Sequence, residues 1–274
     1  MSGYRDLARI HWASYASRRL LFAGRDLLVC EWHCHGEERP WFRTGKDHGE
    51  LDLPVEGMHL RSTGRQRQVI DPATAGFAGA GDDYQRASPT SGPATSTLIA
   101  VRGELAGALV PRHCRRSHPI SAETAFLHFR LLRADDPVAV EEMALELVRR
   151  LLTPCVPSTR ARAISPAWRR LSQEIEHVIA TRFAERLTLE AISRLCSTSP
   201  FHASRIFRAV TGETIHGRLT RVRLRVALFQ LRRGAGRLSH VALSTGFSSH
   251  SHFTSAFRSE FGVPPSSVDR TGSS

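Results

Sequence analysis

The sequence predicts a two-domain α+β chain: a β-rich N-terminal half followed by helices, then an all-α domain of two helix-turn-helix units joined by a long helix. Three observations carry that prediction. Residues 1–120 hold short β-prone runs separated by Gly- and Pro-rich turns. From residue 121 the apolar spacing changes to that of helices. In the last third one pattern of short helix, tight turn and second helix occurs twice, about 50 residues apart.

At 274 residues the chain is too long for one ordinary core and about right for two. The expected boundaries are a first domain over 1–153, a linker over 154–166 marked by its prolines, and a second domain over 167–270. No stretch approaches the roughly 20 apolar residues of a membrane span. The first 20 residues lack the uninterrupted apolar run of a secretory signal, so a cytoplasmic protein is expected. Five cysteines, an odd number with no CxxC, fit small buried thiols in a reducing compartment.

In the first domain LLVCEW, MHLRS, RQVI, AGFAG and TLIAV read as strands, and ERPW, LPVEG, DPATAG, GAGDD and SPTSGPA as turns. Many short strands with such turns suggest a sandwich or small barrel. One constellation here has the residue types of a metal site. If WHCHGEE is a strand, His33, His35 and Glu37 share a face and three ligands converge. The expectation is nevertheless surface or structural histidines and no metal, and Cys30, Cys34, His113, Cys114 and His118 are read the same way. Ser121 then caps a helix carrying Phe126, Phe129 and Leu132, and Asp136-Pro137 open another carrying Val140, Met143, Leu147, Leu151 and Leu152.

The second domain opens with Ser165 as cap and Pro166 as first helical residue; Trp168, Leu171, Ile175, Val178, Ile179 and Phe183 form one apolar stripe. The first helix-turn-helix unit spans 188–211, with Thr188 as N-cap, Leu187 placed to staple to Ile192, and Ser199-Pro200 starting the second helix. The other unit spans 238–261: Ser239 is the expected cap of its first helix, Leu238 a staple to Leu243, and Ser249 the cap of its second. Phe253, Phe257 and Phe261 recur every four residues and Gly262 is placed as a left-handed cap. Between the units a helix of about 19 residues from near Thr214, roughly 28 Å long, carries Ile215, Leu219, Val222, Val226 and Phe229. Gly217 in its first turn should weaken it by up to about 1 kcal/mol relative to Ala.

Charge is divided unevenly. Residues 1–159 carry 20 Lys or Arg against 19 Asp or Glu, whereas residues 160–274 carry 18 Arg, no Lys and 7 Asp or Glu. Nearly all of the formal +12 therefore lies in the helical third, the electrostatic mark of a polyanion binder. A solvated basic surface or a bias toward arginine is the plainer alternative, and the near-neutral first half speaks against bias.

Residues 165–270 resemble the DNA-binding domain of the AraC/XylS family of bacterial transcription regulators. The resemblance rests on Arg205-Ile206-Phe207-Arg208, Thr211-Gly212, Gly246-Phe247, Ser251-His252-Phe253, Phe257-Arg258, Phe261-Gly262 and Pro265. Two departures stand out: Ser197 occupies the place of a customary glycine, and Val268-Asp269 that of an aromatic-Arg pair. The resemblance implies a cupin-like jelly roll in the first domain, where IDPATAGFAGAGDDY is similar to a stretch of such sensor domains. It also implies that the helices after residue 121 help to form a homodimer; covering the β domain is the equal alternative. Its implied partners are promoter sites on double-stranded DNA, a small-molecule effector and RNA polymerase, with no membrane among them.

By position, Phe201, Ser204 and Arg205 of the first unit and His250, Ser251 and Ser255 of the second are expected to contact bases, while Ser199, Arg208 and Arg258 contact phosphates. With neither Arg nor Lys among its base-contact residues, the second unit is expected to be the more permissive. No P-loop, GxSxG or HExxH appears, so catalytic residues and cofactors are not expected. Besides a sequence-specific regulator, an architectural DNA-binding protein and a metal-binding cupin enzyme fused to a DNA-binding domain remain as alternatives.

Overall fold

The computed structural model describes residues 16–34, 39–45, 48–63, 66–88, 93–108, 117–152, 164–234 and 237–269. It divides into two compact units, Met1–Cys155 and Val156–Ser274. The β-rich region is followed by a helical one, in the expected order.

The first unit is built on two antiparallel sheets. Strands β1 (Ala16–Ala23), β2 (Leu27–Cys34), β4 (Gly49–Glu56), β7 (Thr74–Ala78), β9 (Ala94–Val101) and β10 (Ser117–Pro119) form one, in the order β1-β2-β9-β4-β7-β10. Strands β3 (Arg39–Gly45), β5 (His59–Thr63), β6 (Gln66–Ile70) and β8 (Asp83–Ser88) form the other, in the order β3-β8-β5-β6. The five apolar runs read as strands all lie on strands. Two turn assignments were wrong: ERPW enters β3 and LPVEG lies largely in β4. Proline is tolerated in β4 because Pro54 sits where the register with β9 shifts, and β7 pairs only with Glu50–Asp52 of the same strand.

Both faces of the larger sheet are covered. On one face Leu51 and Leu53 of β4 stand beside Ile99 and Thr97 of β9, with Val29 of β2 next in register. Two helices follow, α2 (Ala122–Leu131) and α3 (Pro137–Leu152), after a short α1 (Gly103–Ala108). His128 of α2 reaches this face, its Nε2 lying 2.7 Å from Thr97 Oγ1, and α3 packs on β1 and β2. Their starts are as expected: Thr124 N donates to Ser121 Oγ, while Val138 N and Ala139 N donate to the Asp136 carboxylate.

The opposite face looks toward the smaller sheet, and here the interior is charged. Asp52 on β4 is fully buried, with His59 Nε2 at 3.1 Å, Arg86 Nη1 at 3.4 Å and Arg61 Nη2 at 3.5 Å. Arg61 on β5 and Arg86 on β8 are direct cross-strand partners. Both guanidiniums lie over aromatic rings, Arg61 over Tyr84 at 4.4 Å and Arg86 over Trp32 at 4.6 Å. The Tyr84 hydroxyl donates to Glu50 Oε1 at 3.1 Å. Burial alone would raise the Asp52 carboxyl, but His59, Arg86 and Arg61 hold it well below the usual carboxylate range. Burial and the Arg86 and Arg61 charges push His59 down to about 4, against the pull of Asp52.

The second unit is helical throughout its described residues: α4 (Pro166–Arg182), α5 (Leu189–Leu195), α6 (Pro200–Thr211), α7 (Ile215–Arg232), α8 (Leu238–Ser244), α9 (His250–Phe261) and α10 (Pro265–Asp269). The long helix α7 has 18 residues, about 27 Å, and touches α4, α6, α8, α9 and α10. Ser165 caps α4 and Thr214 caps α7 as expected. Gly217 is not merely a weak point. Its N–H donates to Thr214 Oγ1 at 3.0 Å, and an added Cβ would stand 3.0 Å from that same oxygen. Cysteines 30, 34 and 196 are buried thiols outside any disulfide, and burial, with Glu174 nearby, pushes the Cys196 thiol up to about 11.

The His59 shift fixes a pH dependence. Its folded value lies below that of an unfolded histidine near 6.5. As pH falls, the unfolded chain is therefore protonated first, and the stability contributed above about pH 6.5 is lost progressively down to about pH 4. Asp52, also depressed, acts in the same direction at lower pH. The melting temperature of the first unit is expected to fall between about pH 7.5 and pH 5 in thermal scans. His59→Gln should shrink that fall; an undiminished fall would assign it to other groups.

Candidate nucleic-acid interface

Two copies of one local device present side chains in the second unit. In the first, α5 ends with Ser197 N donating to Arg194 O at 3.1 Å and Thr198 N to Ser193 O at 3.0 Å. In the second, α8 ends with Gly246 N donating to Leu243 O at 3.0 Å and Phe247 N to Ala242 O at 2.9 Å. These paired bonds close a helix around a left-handed residue, and that residue is Ser197 at φ 50° in one case and Gly246 at φ 85° in the other. Serine pays for this conformation in backbone strain; glycine does not. Gly246 is also sterically required, since a Cβ there would lie 2.7 Å from Phe183 O and 2.9 Å from Ala184 O.

From each turn a capped helix begins. Ser199 Oγ accepts from His202 N and Ser249 Oγ from His252 N. Each helix also ends alike, with Gly212 N donating to Arg208 O and Gly262 N to Arg258 O, both at 2.9 Å. The turns differ in length: one residue separates Ser197 from the cap Ser199, and two separate Gly246 from Ser249. The additional position is Ser248; Phe247, which matches Thr198, is buried, with its ring centroid 5.3 Å from that of Phe253.

The cap expected at Ser239 is not there. Helix α8 starts two residues earlier than a Ser239 cap requires, so Arg237 holds the cap position without a side-chain hydrogen bond and Ser239 falls inside the first turn. The staple from Leu238 to Leu243 fails for a related reason, since Leu243 is 64% exposed.

On α6, Ala203, Ile206 and Phe207 are buried while Phe201, Arg205 and Arg208 are exposed and Ser204 is half-buried. Positions 201, 204, 205 and 208 follow helical spacing and share a stripe. Phe201 is 79% exposed, a large apolar ring in solvent at the start of the helix. On α9, Phe253 and Phe257 are buried, while His250, Ser251, Ser255 and Arg258 are exposed. Positions 251, 255 and 258 repeat the stripe of α6, and His250 lies beside it, opposite Pro200 when the two caps are matched.

Some features were not legible by position alone. Arg205 is flanked by Trp168 of α4, its guanidinium carbon 5.7 Å from the ring centroid; Trp168 had been read only as core. Thr254, which matches Ser204, has its Oγ1 buried and so is no counterpart. The arginine excess is also partly internal. Arg218 and Arg225 of α7 are buried, Arg225 Nη2 pairing with Glu260 Oε1 at 2.8 Å. Arg221 pairs with Glu213 at 2.7 Å. Arg223 donates from Nε to Phe183 O and from Nη2 to Glu185 O, both at 2.8 Å.

In the first unit His33 lies on β2, with its Nδ1 3.1 Å from Thr95 Oγ1. His35 and Glu37, the other two residues of the candidate metal set, lie outside the described residues, as do His113 and Cys114. Among the described residues no helix is long and apolar enough to cross a membrane.

A helical unit in which capped helices follow tight turns, each exposing one basic or polar stripe, defines a helix-turn-helix protein. Residues 192–271 match a helix-turn-helix domain family. The chain is 34% identical over 94 residues to the HTH-type transcriptional regulator GlxA of Rhizobium meliloti (strain 1021), covering 34% of this chain and 29% of that protein. It is 29% identical over 91 residues to the bifunctional transcriptional activator/DNA repair enzyme AdaA of Bacillus subtilis (strain 168), covering 33% and 43%. A solved structure of a probable AraC family transcriptional regulator from Rhodopseudomonas palustris CGA009 is 28% identical, covers 38% of this chain and 97% of that one, and aligns with a TM-score of 0.35. The chain thus spans less than half the length of these curated relatives. The similarity falls on the C-terminal helical unit, which carries a helix-turn-helix domain of the kind found in these transcription regulators.

The two turns give a paired test by chemical denaturation. Ser197→Gly should stabilise the second unit by about 0.5–1 kcal/mol as strain is removed. Gly246→Ala should destabilise it by about 1–3 kcal/mol, because both φ and the carbonyls of Phe183 and Ala184 oppose a Cβ. Effects of equal sign would remove the left-handed turn as their cause.

Proposed function

We propose that the chain is a sequence-specific DNA-binding transcription regulator, with α6 and α9 as the recognition helices of two helix-turn-helix units. The observation that carries this reading is the repeated stripe: exposed side chains at matching positions of two capped helices, both packed on α7. Phe201, Ser204 and Arg205, and on the other helix His250, Ser251 and Ser255, are assigned to base edges. A guanidinium reads guanine by two hydrogen bonds, and an aromatic ring packs on a thymine methyl. Ser199, Arg208 and Arg258, grouped at the helix ends, are assigned to phosphates. The Trp168 ring restrains Arg205 before DNA arrives and so lowers the ordering cost of the contact.

The first domain, over 1–153, is assigned as a cupin-like sensor that responds to a small-molecule effector, joined by the 154–166 linker to the DNA-binding domain over 167–270. The helices α2 and α3 are assigned either to a homodimer contact or to covering the sheet. Val138 and Leu145, large apolar residues left exposed on α3, favour the former. RNA polymerase is the partner through which binding would alter transcription. No catalytic step is assigned to the chain.

Footprinting on the DNA upstream of its own coding sequence and on random DNA tests the reading: a regulator protects a bounded site, and a coating protein protects none. Arg205→Ala should weaken specific binding by about 1–3 kcal/mol and relax preference at one base position. Arg208→Ala should lower affinity on all sequences alike. Equal losses on specific and random DNA in both variants would overturn the division of roles.

A further inference from the structure

The interior between the two sheets of the first unit is where apolar packing is expected, yet β4, β5 and β8 fill it with Glu50, Asp52, His59, Arg61 and Arg86. Placing two arginines directly opposite each other in register is unfavourable, and burying them adds a desolvation cost. Arg61 is 1% exposed, and none of its three guanidinium nitrogens has a hydrogen-bond partner; Arg86 Nε and Asp52 Oδ1 are in the same state, while Asp52 Oδ2 faces His59 Nε2 at 3.1 Å and the two guanidiniums at 3.4–3.5 Å. Gly76 on β7 makes room for the Arg61 head, since a Cβ there would stand 3.3–3.4 Å from its guanidinium atoms. A buried polar group without a hydrogen bond is costly, so a fold that keeps several together has a use for them.

We infer that this cluster is a binding site for a small organic carboxylate that also carries a hydrogen-bond donor, such as a hydroxy acid or an amino acid. The inference rests on the reading of the first unit as a sensor and gives that sensor a ligand class. The Arg61 guanidinium is a planar fork that matches a carboxylate bidentately, with Arg86 as the second positive charge. Asp52 answers a hydroxyl or ammonium on the same ligand. Neutral His59 fixes the Asp52 side of the site without adding charge. Two buried guanidiniums argue against a metal cation, and the unsatisfied atoms include an acceptor as well as donors, so an anion without a donor leaves Asp52 Oδ1 unanswered.

The test uses thermal scans of the full chain with lactate, malate or serine, against acetate, lactamide, inorganic phosphate and a neutral sugar at matched ionic strength. At about ten times Kd, lactate, malate or serine should raise the melting temperature by roughly 3–6 °C. Lactamide and acetate should do less. Arg61→Lys, which keeps the charge but loses the fork, should abolish the rise, and Gly76→Ala should reduce it by crowding the guanidinium. No rise with any of the three probes, or an equal rise in Arg61→Lys, overturns the inference. A rise with phosphate alone overturns the carboxylate class. A rise with the neutral sugar alone also overturns it, but leaves the first unit a sensor. The footprint of the second unit on DNA is read separately and stands or falls without this result.

Discussion

The second unit depends on one knot of hydrogen bonds at the end of α4. There Arg223, projecting from the middle of α7, donates from Nε to Phe183 O at the helix cap and from Nη2 to Glu185 O in the turn beyond it. Gly246, the left-handed residue of the second turn, lies against Phe183 O and the neighbouring Ala184 O, close enough that no Cβ fits. The long helix, the leading helix and the second turn are therefore fixed at a single place. That fixation positions α9 through backbone geometry and leaves its outward stripe free of structural duty.

The two helix pairs reach one design by different physical routes. The first holds a serine in a strained left-handed turn and starts α6 promptly with Ser199 and Pro200. The second has glycine, one more residue and a buried Phe247 whose ring joins the Phe253 and Phe257 stack. The first helix pair exposes Phe201 and Arg205, the second mostly hydroxyls and imidazoles. The difference in chemistry supports the proposed division into one discriminating helix and one tolerant helix, and each helix ends alike, with a glycine N–H donating to an arginine carbonyl.

Much of this was legible because it is governed by local rules. Ser165-Pro166, Thr188, Ser199, Thr214 and Ser249 announce helix starts through a hydroxyl and a nearby N–H, and Gly212 and Gly262 announce ends through a missing Cβ. What was not legible depended on distant chain. Pro54 reads as a turn until β9 is seen to shift its register beside it, and Arg237 displaces Ser239 as cap because the helix starts two residues earlier than a Ser239 cap requires. Of the candidate site, the exposed stripes followed from spacing, whereas Trp168 under Arg205 required the fold. The buried charges of β4, β5 and β8 were invisible for the same reason: Glu50, Asp52, His59, Arg61 and Arg86 look like surface residues of ordinary strands until two sheets close over them.

That polar interior bears on how the first unit responds to temperature. The heat capacity of unfolding rises with apolar surface exposed and falls with polar surface exposed. A β domain that hides carboxylates, imidazoles and guanidiniums between its sheets releases an unusual share of polar surface when it opens. Its stability curve should accordingly be broader and flatter than that of a hydrocarbon-filled sandwich of equal size, trading peak stability for evenness across the working range.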